Sequence, residues 1–452
     1  MDRNRRRFLQ WAGLGAGAAV ALPARAAPRV DAAAGFDVAQ LAPRPGSSDD
    51  HTATLQRAID QAAASRTPLT LAPGIYRAAG LVLPAGMRIV GTPGATRLVA
   101  NRARPVLAAP HAADIQLSGL SFDGGGQPLP DGQGLVTLAD GERVRVSDCE
   151  FIGAGGFGLR LDGIGGEITG CTVLGAADVA IFSYDARGLV IARNTVRRAG
   201  NNGIQVWRRE AGYDGTSVLD NAIFEIGARD GGSGQNGNGV NVFRASDVTV
   251  RGNRITDCMY SAVRGNAASN MRVIENACRD LGEVALYAEF GFQGAVIANN
   301  TVDGAGHGIS VTNFNDGGRL AVIQGNILRN LAPQPRAGID NATHGVGIYA
   351  EADTAVTGNV IERAARAGIV AGWGRYLRDV SVTGNVVRQA DIGIGVSVVT
   401  GAGAALIANN LISGAARGAI LGMDHDSPVT DDLARGGAAR YSQITLSGNR
   451  VS

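Results

Sequence analysis

Five side chains near the middle of the chain have the types that proton chemistry on a sugar requires: Arg264, Tyr287, Glu289, His307 and Glu351. Abstracting the proton beside a uronate carboxyl needs a base and a group that neutralises the carboxylate. His307 is the first candidate base because an unperturbed imidazole titrates near about 6.5. Tyr287 and Tyr349 are the others, and Arg264 or Asn266 would hold the carboxylate. Glu289 and Glu351 offer a second chemistry, since glycoside hydrolysis with inversion uses two carboxyl groups about 6.5–9.5 Å apart. Trp207, Phe243, Asn241 and Ser310 complete the set, with flat rings for sugar faces and amides or hydroxyls for sugar hydroxyls.

These residues share one place in a repeat. The frame φ-x-φ-x-x-N-x-φ (φ apolar) recurs with Asn194, Asn221, Asn253, Asn276, Asn300, Asn326, Asn359, Asn385, Asn410 and Asn449 in the asparagine column. Leu120, Cys149 and Cys171 occupy that column upstream, giving thirteen copies spaced 22 to 39 residues apart. A period of this size marks a solenoid. Most copies carry a second segment such as Gly203-Ile204-Gln205-Val206 or Gly308-Ile309-Ser310-Val311, and its alternation with β-branched residues predicts a short strand. Gly-Asn pairs at 252–253, 325–326, 358–359, 384–385 and 448–449 predict tight turns. Leucine-rich repeats share much of the frame, but Val and Ile fill these φ positions and the return half alternates with period two. The expected fold is therefore all-β: a right-handed parallel β-helix of about 13 to 15 coils, with stacked asparagines bonding rung to rung about 4.8 Å apart.

Stacking lines up the outward positions of the second strand, which places the residues named above on one face. Glu289 and Glu351 fall two rungs apart, about 9.6 Å by backbone. Two coils break the repeat with insertions, at 227–238 and 332–346, in the same turn and four rungs apart, roughly 19 Å. Two such walls predict a groove whose floor is this outward column, with His307 at its edge and His344 in the second wall.

Before the repeat, residues 49–64 read as an amphipathic helix with Leu55, Ala58, Ile59 and Ala62 on one face and Ser48 or Asp49 as N-cap. That helix followed by the turn-rich stretch 68–99 resembles the opening of the pectate-lyase-like β-helix superfamily, over roughly residues 47 to 452. Asn4-Arg5-Arg6-Arg7-Phe8-Leu9 resembles the twin-arginine export motif, and Ala24-Arg25-Ala26 offers a cleavage site. The whole is similar to the twin-arginine-translocated repeat proteins of that superfamily. The resemblance implies a signal peptide at 1–26, a linker at 27–46, a β-helix domain at 47–452, the export machinery as a partner, and a periplasmic or secreted location. The apolar stretch is too weak for a span, so no membrane crossing is expected in the mature form.

Residue types exclude other classes. The chain has no lysine, so Schiff-base chemistry is out. Cleavage after residue 26 would move the formal charge from +2 to −2, which gives no reason to expect nucleic acid. Cys149, Cys171, Cys258 and Cys278 lack metal-type spacing and read as buried thiols, although a bond between Cys149 and Cys171 on adjacent rungs is sterically conceivable. Asp424, His425 and Asp426 read as part of a C-terminal cover rather than as metal ligands. No cofactor is expected, and no calcium-binding repeat motif is present. The leading expectation is a lyase or epimerase of a uronate-containing polysaccharide. The alternatives are a non-catalytic polysaccharide-binding or cell-envelope structural protein, and an inverting hydrolase. Residue types in the floor resemble those of alginate-type lyases and C5-epimerases, without a diagnostic contiguous motif.

Overall fold

The computed structural model describes the backbone of Phe36–Asp37 and residues 48–232, 234–334 and 343–452. The export motif and residues 1–26 lie outside these. Inside the span read as a linker, Phe36–Asp37 pairs in parallel with Leu69–Thr70. The described chain is a right-handed parallel β-solenoid of about 14 turns. Among the described residues every pairing between coils is parallel, and the antiparallel pairings are local: the short hairpin Met423–Pro428 and the bridge Trp373–Tyr376.

The helix, Thr52–Ser65, precedes the first coils and buries Leu55, Ala58, Ile59 and Ala62. It starts three residues later than the sequence suggested. The N-cap position is His51, which makes no side-chain cap, and Asp50 instead accepts the Thr52 N–H at 2.9 Å. The His51 imidazole faces the solenoid, where its Nδ1 accepts the Arg77 N–H at 3.1 Å.

Like residues stack on like. Ile204, Val240, Val263, Leu286, Ile309, Ile348, Ile369 and Ile394 are all fully buried in one continuous core. Each such side chain contributes about 1.5–3 kcal/mol through burial. Glycine precedes six of these eight residues, with Ala262 and Ala285 before Val263 and Leu286, and close approach of the next rung explains the glycine where it occurs. A Cβ on Gly308 would meet the Gly347 carbonyl at 2.5 Å, and one on Gly347 would meet that of Gly368 at 2.3 Å.

The asparagine column forms the expected ladder. Each asparagine from Asn194 to Asn410 donates both its backbone N–H and its side-chain N–H to the Oδ1 of the next one, as in Asn276 to Asn300 at 2.9 and 3.0 Å. The second side-chain hydrogen goes to a carbonyl one rung back, Val250 for Asn276 at 3.0 Å. Buried amides are thereby satisfied, which is the condition for keeping them in an apolar core. All four cysteines are free and buried, and the Cys171 N–H opens the ladder on Asn194 Oδ1 at 2.9 Å. Among the described residues no helix is long and apolar enough to cross a membrane.

Candidate functional site

Strand register puts the expected residues in columns on one outer face. Tyr184, Trp207, Phe243, Asn266 and Glu289 follow one another, and beside them run Arg264, Tyr287, Ser310 and Tyr349. Glu351 follows Ala350, which lies two rungs from the Ala288 next to Glu289, so the two glutamates keep the expected spacing.

The column is not the open floor that the alternation suggested. Gln205, Asn241, Arg264, Glu289, Ser310, His307 and Glu351 are all 8% exposed or less. Over Asn241 and Arg264 the reason is that the first insertion folds onto the face instead of standing beside it. Gly234 lies so close to Arg264 that a Cβ there would meet Nη1 at 1.5 Å. A second, shorter ladder pins the insertion: Asn238 donates to Asn202 Oδ1 and to the Gly234 carbonyl, while Tyr260 Oη donates to Gly232 O at 2.6 Å. Most of the second insertion, residues 335–342, lies outside the described residues.

A hollow of about 400 Å³ remains, lined by Trp207, Gln235, Asn241, Phe243, Asn266, Glu289 and Phe290, with Arg264 at its base. Larger hollows exist, including one of about 870 Å³ at the corner beside Trp207, lined by Asp185, Arg187, Arg208, Arg209, Glu210 and Tyr213. The smaller one is preferred as the site because residues from four successive coils converge on it. The Trp207 and Phe243 rings lie 5.4 Å apart, tilted by 57°. The Trp207 indole N–H donates to Asn241 Oδ1 at 2.8 Å, which fixes the ring.

At the base, Arg264 is a clamp. Its Nε and Nη2 donate to the two oxygens of Glu289 at 2.7 and 2.9 Å, and its Nη1 donates to Glu283 at 2.9 Å. Its guanidinium lies 5.0 Å from the centre of the Tyr287 ring. Asn266 also donates to Glu289, at 3.0 Å. Burial disfavours the guanidinium charge, yet the two glutamates outweigh it and hold the Arg264 pKa above its ordinary value. Burial pushes the Glu283 carboxyl up to about 7 against the pull of Arg264, and it pushes the Tyr287 phenol up as well. Glu283 was not singled out from sequence. The spacing Glu283-x-x-x-Tyr287-x-Glu289 around an arginine one coil earlier was the available signal.

The other expected residues lie further along and do not line this hollow. His307 is buried, and its Nδ1 accepts the Val346 N–H at 3.0 Å, so the proton of the neutral ring is on Nε2. Burial, with His344 nearby, lowers its pKa to about 3. As placed, the His307 ring is neutral, with Nδ1 taken up by the Val346 N–H and its proton on Nε2. Its ring meets that of Tyr349 edge-on at 5.4 Å, and burial raises the Tyr349 phenol. Ser310 shares a hydrogen bond with Thr312 at 3.3 Å. Glu351 accepts the Phe314 N–H at 2.7 Å beneath the segment Asn313–Gly318, and burial brings its carboxyl up to about 7. Among the described residues no three His, Cys, Asp or Glu side chains converge as a metal site. Asp424 and His425 instead pair with each other at 2.7 Å on the exposed hairpin.

The profile described as "Right handed beta helix region" matches residues 104–223 and 215–387, together more than half of the chain. The chain belongs to this right-handed β-helix family. No curated protein matches this β-helix chain in sequence. Among solved structures, it is similar to pre-mature gene product 12 of bacteriophage phi29, with a TM-score of 0.57 and 14% identity, covering 88% of this chain. The β-helix chain spans 58% of the length of that phage protein. It is also similar to the A-module of the mannuronan C-5 epimerase AlgE6 from Azotobacter vinelandii, with a TM-score of 0.51 and 14% identity, covering 92% of this chain and 99% of that one. At this identity the likenesses speak for the fold.

Proposed function

We propose that this chain is an exported polysaccharide-binding β-helix protein, holding a glycan along its outer face on the shelf formed by Trp207 and Phe243. The observation that carries this reading is the hollow of about 400 Å³, where two half-buried rings meet Asn266, Glu289 and the carbonyl-rich edge of the insertion. Rings offer their faces to C–H-rich sugar surfaces, and the polar rim answers hydroxyls. The similarity in fold to a mannuronan epimerase supports a sugar polymer as the ligand class. The sequence resemblance to a twin-arginine leader supports export to the periplasm or beyond.

The clamp sets a limit on what can sit at its base. Arg264 is matched by two carboxylates, so it has no net charge left for a uronate carboxylate. In this reading neither Arg264 nor His307 is given a role in uronate chemistry, which leaves Asn266, Tyr287 and Tyr349 from the sequence reading of a lyase or epimerase. A second, catalytic reading rests on Glu351. Burial brings its carboxyl up to about 7, the range of a general acid, and Glu289 lies two rungs away.

Titration calorimetry of residues 27–452 against a glycan panel tests the first reading. The wild type is expected to bind, and Trp207→Ala to weaken binding about tenfold or more. Equal affinity of the two proteins would discard it. Ultraviolet absorbance and reducing ends, read on the same samples, decide catalysis. Absorbance would mean elimination after all. New reducing ends abolished in Glu351→Gln would establish the hydrolytic reading.

A further inference from the structure

We infer that the corner next to the aromatic shelf is a subsite for an anionic substituent of the bound glycan, held by Arg208, Arg209 and Arg244. The inference rests on the shelf reading and adds the substrate class, an acidic polysaccharide, through residues distinct from the Arg264 clamp.

The corner is made by a break in the repeat. The strand Asn202–Tyr213 pairs with Asn238–Ser246, but the register jumps between Trp207 and Gly212. The extra residues carry Arg208 and Arg209, directly after the shelf tryptophan. Arg244 directly follows the shelf phenylalanine on the next rung. Its Nη1 donates to the Arg209 carbonyl at 2.9 Å, and its guanidinium lies 4.7 Å from the centre of the Phe243 ring. Arg209 is placed by its own N–H, which donates to Asp185 Oδ1 at 3.0 Å, and its guanidinium lies 6.0 Å from the Tyr184 ring centre. Arg208 and Arg209 line the hollow of about 870 Å³ together with Arg187, Asp185, Glu210 and Tyr213.

The charges there are left uneven. Arg187 faces Asp140 and Glu142 at 3.4 and 3.8 Å. Arg208, Arg209 and Arg244 form no ion pair with a described carboxylate, and the Arg208 Nε is spent on the Glu210 carbonyl at 3.3 Å. Asp185 and Glu210, which act on Arg209, and the buried Asp214, which acts on Arg208, offset part of the charge. Arg209 beside Tyr184 and Arg244 beside Phe243 edge the shelf from two rungs apart, with Arg208 following Trp207 on the rung between, and an anionic substituent lying among them is attracted by all three. Guanidinium forks also match carboxylate and sulfate oxygens two at a time. A glycan lying on Trp207 and Phe243 would present its substituents to the residues that follow them, which are Arg208 and Arg244.

Polygalacturonate and its fully methylated ester share one backbone and differ in charge, so they isolate the subsite. The wild type should bind polygalacturonate about tenfold more tightly than the ester at low salt, with the preference shrinking at high salt. The triple variant Arg208→Gln, Arg209→Gln, Arg244→Gln should lose the preference and keep the ester affinity. The triple Arg→Lys variant should keep much of the preference, which separates charge from folding. Dextran sulfate binding over dextran, lost in the same glutamine variant, would extend the subsite to sulfate esters. Equal binding of polygalacturonate and ester by the wild type, or a preference that survives in the glutamine variant, would overturn the inference. If the ester is then still bound and released by Trp207→Ala, the shelf reading stands alone. If neither polymer binds, both fall.

Discussion

Glu351 shows how burial rewrites a side chain. Burial brings its folded pKa to about 7, above the ordinary 4.5 of a glutamate, so between these values the folded state holds a proton that the unfolded state has released. Stability from this group is complete below about pH 4.5 and is lost as pH rises toward about 7, on the order of 3 kcal/mol in all. Glu351→Gln keeps an oxygen for the Phe314 N–H and removes the titration. Melting temperatures should therefore favour the variant at pH 8 and coincide with wild type at pH 4, and a wild-type curve as flat as that of the variant would refute the assignment. His307 works in the opposite sense. Its depressed pKa removes stability as pH falls below about 6.5 toward about 3. Neither behaviour was legible in the sequence, because both depend on what covers the residue. Alternation correctly put Glu351 and His307 on or beside the outer face. It gave no sign that Asn313–Gly318 would lie over one, or that Val346 would occupy the lone pair of the other.

At the scale of the coil, one position matters more than its residue type. The residue before each ladder asparagine is left-handed throughout, with φ of 56° at Arg193, 60° at Glu275 and 64° at Gly358. The Gly-Asn pairs read from sequence are thus the unstrained version of a corner that every rung builds. Nothing lies within 4 Å of a Cβ placed on Gly358, so Gly358→Ala tests the backbone alone. It should cost about 1 kcal/mol, and Glu275→Gly should return about 0.5 kcal/mol, both read by denaturant midpoints at unchanged slope. Insensitivity at both positions would mean that the corner is held by the ladder rather than by φ. The fold was legible for this reason. Cα packing and backbone geometry force the same few residue types into the same slot on every rung, and thirteen copies make the slot visible. The insertions have no such averaging, so their existence could be read from length while the resting place of the first over Arg264 could not.

Over the whole molecule, a solenoid has to close its two ends. Thr52–Ser65 does so at the start with its apolar face. At the other end, Leu433 is buried and Asp432 accepts the N–H groups of Ala419, Ile420 and Ala434 at 2.9, 3.1 and 3.0 Å. An edge strand with free N–H groups is a template for another chain. Asp432→Ala should therefore raise the apparent mass in light scattering with concentration, relative to wild type, while the central coils keep their slow hydrogen exchange. Unchanged mass at every concentration would show that Leu433 and its neighbours close the edge without it.

The asparagine ladder has one more consequence. Every side-chain amide in it points the same way along the axis, donor toward the C-terminal neighbour. Aligned amide dipoles in contact polarise one another and add. The row is therefore a set of coupled oscillators in a dry channel, and its carbonyl stretch should appear in the infrared as a delocalised band, displaced from that of isolated asparagine and split by a single isotope-labelled rung.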